Sequence, residues 1–166
     1  RASYQLQQYI PLSKTFTLMF NGDFGYADGY GDSTSLPFYK NFFAGGSSSV
    51  RGYRSRTLGP KDLGGPDPTL PVGGSSRVLG NMEVLFPVPG TSEENKTMRL
   101  SVFVDTGMVY GPAENIDLGE LRYSAGLAFS WYSPVGPLSI SFAKPLNLGI
   151  DDRKESVQFT LGTPFR

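Results

Sequence analysis

The feature that most constrains this chain is a hydrophobic alternation with a period of two, sustained over segments of about ten residues. In residues 121–133, Leu121, Tyr123, Ala125, Leu127, Phe129 and Trp131 fall on one side. Arg122, Ser124, Gly126, Ala128, Ser130 and Tyr132 fall on the other. Successive side chains of a strand point to opposite faces, so this pattern fits a sheet with one greasy and one polar side. Residues 15–26 repeat it, with Phe16, Leu18, Phe20, Phe24 and Tyr26 opposite Thr15, Thr17, Met19, Asn21 and Asp23. Similar segments occupy roughly 2–10, 76–87, 98–110, 137–144 and 156–165. The expectation is seven strands, an all-β class and no helical domain.

Turn signals alternate between two lengths. Residues 11–14 and 133–137 are tight, and 88–97 is somewhat longer, whereas 111–120, 146–154 and above all about 27–75 are long. Antiparallel neighbours joined this way place short turns on one rim and long loops on the other, the layout of a transmembrane β-barrel. A soluble β-sandwich also alternates. Its strands, however, average about 5–6 residues, while tilted membrane strands need about 9–11. The polar side here is small and mostly uncharged (Ser101, Ser124, Ser130, Ser139, Ser141, Thr160), as suits a wet lumen. The other side is bulky and aromatic, and in lipid it needs no packing partner. Aromatics near segment ends (Tyr4, Tyr26, Tyr110, Tyr123, Trp131, Phe165) fit interfacial girdles.

Composition removes several functions. The 166 residues hold no Cys and no His, which excludes thiol chemistry, the usual general base and the commonest transition-metal ligand. Fifteen basic residues balance fifteen acidic ones, so the basic face of a nucleic-acid binder is not expected. Gly45-Gly46-Ser47 lacks P-loop spacing, and Asp151-Asp152 lacks a calcium-loop pattern. No catalytic constellation, cofactor site or metal set is expected. Seven strands do not make a closed bacterial barrel, which uses an even number. The chain opens on Arg1 inside an alternating segment, so a piece of a longer polypeptide is expected, with the remaining strands N-terminal.

The long connection carries Phe38, Tyr39, Phe42, Phe43 and Tyr53, with Val50-Arg51-Gly52-Tyr53 at its centre. Disordered segments avoid such aromatic content, so the loop is expected to fold back into the lumen and bury these rings there. Arg51 would then need carboxylate partners. Strand parity offers Glu83, inward with Arg77 and Asn81, and Asp105, inward with Arg99, Ser101 and Phe103 on the neighbouring strand. A lumen tether of Arg51 to Glu83 and Asp105 is one reading; a solvated loop cation is the other.

The run from Phe38 through Tyr53 to Lys61, with Val50-Arg51-Gly52-Tyr53, resembles the sixth extracellular loop of the BamA/TamA barrel superfamily of Gram-negative outer membranes. The resemblance extends through Met82-Glu83-Val84, Phe103-Val104-Asp105, Leu121-Arg122-Tyr123, Ser133-Pro134-Val135-Gly136 and Gln158-Phe159-Thr160-Leu161-Gly162-Thr163. It covers essentially all 166 residues. It implies the last seven of sixteen strands, with the loop arginine paired to the positions of Glu83 and Asp105. These barrels normally end on an aromatic, whereas here Arg166 follows Phe165.

The implied function is folding and insertion of other outer-membrane barrels, without enzymatic activity or cofactor. The implied partners are unfolded outer-membrane proteins, the lipid bilayer and, through N-terminal domains, assembly-machine lipoproteins. A client strand would add at a seam strand carrying Val157, Phe159, Leu161, Gly162, Pro164 and Phe165, where Gly162 and Pro164 weaken pairing. The alternative is a TamA-like or two-partner-secretion-like translocation pore.

Overall fold

The computed structural model describes residues 1–29, 37–90, 97–112, 114–134 and 136–162, with Phe38 by its backbone alone. Its main element is a seven-stranded antiparallel sheet. The strands are β1 (Ala2–Pro11), β2 (Thr17–Tyr26), β4 (Ser76–Pro87), β5 (Met98–Tyr110), β6 (Arg122–Ser133), β7 (Gly136–Pro145) and β9 (Val157–Leu161). Two short strands, β3 (Gly52–Tyr53) and β8 (Lys154–Glu155), pair with each other away from that sheet. The order in the main sheet is β1-β2-β4-β5-β6-β7-β9, and β1 does not pair with β9, so the wall is open.

Period-two residues divide between the faces as the sheet geometry requires. On β2, Met19, Asn21 and Asp23 are buried while Phe20, Phe24 and Tyr26 are exposed. On β5, Ser101, Phe103 and Asp105 are buried between exposed Val102 and Val104. The bare face is therefore apolar, and the covered face holds the polar and charged groups. Leu121 departs from the expected pattern. It precedes β6, follows a 3-10 turn at Leu118–Glu120, and is buried.

Register lines up polar residues across the covered face. Gln7, Asn21, Asn81, Asp105 and Ser124 are successive cross-strand partners from β1 to β6. Side-chain amides reinforce this row: Gln5, diagonal to it, donates to Asn21 at 2.9 Å, and Asn21 donates to Asn81 at 2.9 Å. Asn81 in turn donates to the loop carbonyl of Ser49 at 2.6 Å.

The connection between β2 and β4 lies over this face in tiers. Isolated antiparallel bridges join Phe42 to Gly74, Ala44 to Leu58 and Lys61 to Pro71. Phe42, Ala44, Val50, Tyr53 and Leu58 form one apolar cluster with Ala27, Leu79 and Val109 of the wall. The expectation that all five loop aromatics bury is corrected here. Phe42 and Tyr53 are fully buried, but Tyr39 is 68% exposed, and the side chain of Phe38 lies outside the described residues. Phe43 is half-buried beneath the guanidinium of Arg56, 4.0 Å from its ring centre. A phenol ring can leave its edge in water at modest loss, and Tyr39 sits in a single 3-10 turn, Phe38–Lys40, near the loop's beginning.

The last strand is shorter than expected. β9 ends at Leu161, because Gly162 turns the chain with φ +76° while still donating to Pro137 at 2.9 Å. Pro164 and Phe165 lie outside the described residues.

Candidate functional site

Four consecutive loop residues meet the wall in four different ways. Val50 is completely buried, and Gly107 makes room for it: a Cβ there would stand 2.9 Å from a Val50 methyl. Arg51 forks onto Asp105, with Nε to Oδ2 at 2.7 Å and Nη2 to Oδ1 at 2.8 Å. Its backbone N–H also donates to Asp105 Oδ2 at 3.0 Å. Nη2 reaches Glu83 Oε2 at 3.0 Å. Planar two-point pairing of this kind is what a guanidinium offers and an ammonium does not.

Asp105 is wholly buried, and the Arg51 and Glu83 side chains are 13% and 10% exposed. Below the fork, the guanidinium carbon lies 3.4 Å from the centre of the Phe103 ring, so its flat face is covered as well. Gly126 leaves space for that ring, since a Cβ there would lie 2.8 Å from its tip. Burial works against the charge on Arg51, but the hydrogen bonds and charges of Asp105 and Glu83 outweigh it and raise its pKa above the ordinary arginine value.

Gly52 has φ +88°, a left-handed conformation that glycine adopts without strain, and a Cβ on it would come within 3.0 Å of the Ala143 methyl. Both facts hold the loop backbone tight against β7. Tyr53 is fully buried, and its hydroxyl donates toward the carbonyls of Tyr123 at 3.1 Å and Asn147 at 3.3 Å. Burial pushes its phenol pKa up, which keeps it a donor. Asn147 completes the clasp, accepting from Tyr123 N–H at 2.6 Å and donating to the Leu121 carbonyl at 2.7 Å.

The structure thus brings Arg51, Glu83 and Asp105 together and seats Val50, Gly52 and Tyr53 around them. The seam residues stand apart. Val157, Phe159 and Leu161 project from the bare face, each more than half exposed. A cavity of about 810 Å³ opens on the covered face beside the loop, lined by Ser48, Arg51, Asn81, Glu83, Arg99 and Thr160 among others.

Three features escaped the sequence reading. Arg77 forks onto Asp23 at 2.8 and 2.9 Å, and Arg122 pairs with Asp152 at 2.5 Å. Arg77 and Asp23 lie on strand faces the alternation had assigned, so diagonal neighbours could have been tried, whereas Asp152 sits in the connection between β7 and β8, where parity says nothing. The third is Gln158, whose buried amide donates to the Tyr53 carbonyl at 2.8 Å. Only its parity, opposite to that of Val157 and Phe159, could have pointed to it.

Comparison with known proteins places these residues in context. Residues 1–165 match the Omp85 superfamily domain. The chain is 40% identical to the outer membrane protein assembly factor BamA of Neisseria meningitidis serogroup B, over 99% of this chain and 24% of that protein. It is 31% identical to BamA of Nitratidesulfovibrio vulgaris, over 80% of this chain and 16% of that one. Among solved structures it resembles BamA from Haemophilus ducreyi lacking POTRA domains 1–3, with TM-score 0.82 and 31% identity, covering 95% of this chain and 33% of that one. The chain therefore spans about a quarter of the length of the meningococcal relative.

Proposed function

Because the chain belongs to the Omp85 superfamily, we propose that it forms part of the barrel wall of an outer-membrane assembly factor, one that folds and inserts other β-barrel proteins. On this reading the bare apolar face contacts lipid and the covered face is the lumen. The location is a Gram-negative outer membrane. The partners are unfolded outer-membrane proteins and, through domains outside this chain, assembly-machine lipoproteins.

The observation that carries the proposal is the state of β9. It pairs with β7 at five positions, from Phe142↔Val157 to Leu138↔Leu161, although β7 is ten residues long. On this reading its other edge meets, in the whole barrel, a strand outside this chain, and so short a last strand makes that seam the weak one. A strand edge with free N–H and C=O groups is a template for another chain. In lipid an unpaired backbone group costs several kcal/mol, so a client strand gains by pairing there. The work of assembly then needs no nucleotide, since each added client strand satisfies its own backbone and buries its own apolar face.

The Arg51 tether has a complementary role in this scheme. It holds the loop to β4 and β5, so the wall is stiff at its middle and compliant at its edge. A pore that exports chains through the lumen, as in a two-partner-secretion-like reading, would have to displace this loop. A TamA-like assembly role shares the edge chemistry and differs in the domains outside the chain.

The test is a reversible disulfide between β9 and the strand that closes the barrel, placed in the full-length protein and reconstituted in liposomes. Folding of a barrel client is followed by its heat-modifiable mobility on gels. Oxidation should stop client folding and reduction should restore it. Full client folding with the seam completely crosslinked would overturn lateral addition, and client passage across the membrane in that state would point to the pore.

A further inference from the structure

We propose that Gln158 is a positioning residue that locks the seam strand to the folded-in loop, so that β9 and the Arg51 loop shift as one unit. The inference extends the assembly reading and rests on it only for its consequence in client folding.

Between β7 and β9 the chain does not simply cross the rim. It leaves the wall, and its last residues pair as β8 with the loop motif, Gly52↔Glu155 and Tyr53↔Lys154. Arg54 N–H extends the contact, donating to the Arg153 carbonyl at 2.7 Å. The chain then returns to the wall at Ser156, whose carbonyl accepts from Ala143 at 2.8 Å, and enters β9 at once. Two residues later Gln158 turns its amide inward. Nε2 donates to the Tyr53 carbonyl at 2.8 Å and to Glu155 at 3.2 Å.

Both partners of that nitrogen are acceptors, so the amide orientation follows from its surroundings. The amide oxygen is buried and has no hydrogen-bond partner among the described residues. An apolar residue would avoid that unpaired acceptor. Gln158 is also the one buried residue of β9. Beyond its ladder and the flanking backbone bonds to β7, Ala143 to Ser156 and Gly162 to Pro137, β9 is held by this contact with the loop backbone. Tyr53, at the receiving end, is fastened by its hydroxyl to the Tyr123 and Asn147 carbonyls. Loop motif, β8 and β9 form a continuous hydrogen-bonded path from the lumen to the seam.

The experiment is hydrogen–deuterium exchange by mass spectrometry on the full-length protein in lipid nanodiscs. Gln158→Leu keeps volume and removes the donor. Exchange should rise about tenfold, the factor carried by one net hydrogen bond of about 1.4 kcal/mol, in 157–161 and also at the amide of Arg54. Peptides from β2 and β4 serve as the control and should not change. Tyr53→Phe provides the reciprocal arm. It removes only the hydroxyl, leaves the carbonyl that Gln158 uses, and should still speed exchange in 157–161. Gln158→Lys, which retains a donor facing Glu155, should restore protection.

Changes confined to the mutated element in both variants would overturn the coupling, and so would failure of the lysine variant to restore protection. Coupled exchange with unaltered client folding would leave the lock standing and count against the assembly reading instead.

Discussion

Replacing Arg51 tests the site most directly, because its geometry sets an order among variants. In Arg51→Ala, Asp105 loses two donors at once, Nε and Nη2, and the bond from the backbone N–H weakens as the loop is released. Asp105 is fully buried and Glu83 nearly so, and as diagonal neighbours on β5 and β4 they would be left without a shared cation. Removing one partner of a buried pair costs about 3–5 kcal/mol, a factor of roughly 10²–10³ or more in the population of the released loop. Arg51→Lys keeps the charge but reaches one oxygen rather than two and loses the flat stack on Phe103, and should cost about 1–2 kcal/mol. Adding Asp105→Asn and Glu83→Gln to Arg51→Ala removes the stranded charges and should recover about half of the loss. Limited trypsin digestion of the full-length protein reads this directly, since Arg54 and Arg56 are already exposed and cleavage after them needs their backbone freed from its bonds to Arg153 and Gly45. The midpoint of heat-induced mobility change gives the stability. Equal effects of alanine and lysine, or no recovery in the triple variant, would refute the reasoning that buried charge pairing holds the loop.

Two further outcomes follow from other contacts. Gly52→Ala must place a β-carbon at φ +88° and 3.0 Å from Ala143; a loss of about 1–3 kcal/mol in loop retention is expected, with Ala143→Gly relieving the steric part only, again read by trypsin. Leu127, 56% exposed at the middle of β6, faces lipid on the proposed reading, so Leu127→Arg should cost about 2–4 kcal/mol in bilayers. Unchanged unfolding of that variant in liposomes would remove the membrane assignment of the bare face.

Alternation was enough to read the wall, because a period of exactly two assigns every residue of a strand to a face once a few are known. Glu83 and Asp105 were legible as inward acids for that reason, before any contact was seen. The short strands β3 and β8 were not. Two residues carry no periodicity, and their pairing joins positions about a hundred residues apart, where sequence distance gives no guide. Gln158 was hidden for the same reason: nothing local distinguishes it from a lumen-facing polar residue such as Thr160. Asp23 and Arg77 were each placed on the correct face, yet their ion pair is diagonal, Asp23 lying opposite Leu79 and Arg77 opposite Gly25. The loop aromatics failed in the other direction. Counting rings predicted complete burial, while the wall has room for Phe42 and Tyr53 but leaves Tyr39 outside.

The inward excursion of β8 has a bearing on how freely the rim of long connections can vary. Connections there generally accept inserted residues, and the tip at residues 62–69 is anchored at its base by the Lys61–Pro71 bridge and by Arg153 donating to Thr69, with its exposed turn around Leu63 left free to grow. The link from β7 to β9 is different: it is a strap of fixed length, clipped at Asn147 and again at Lys154. An epitope tag or a drifting lineage can lengthen the first, whereas one extra residue beside Ser156, where β8 passes straight into β9, would slide the terminal strand out of step with its neighbour and turn its oily side chains toward water.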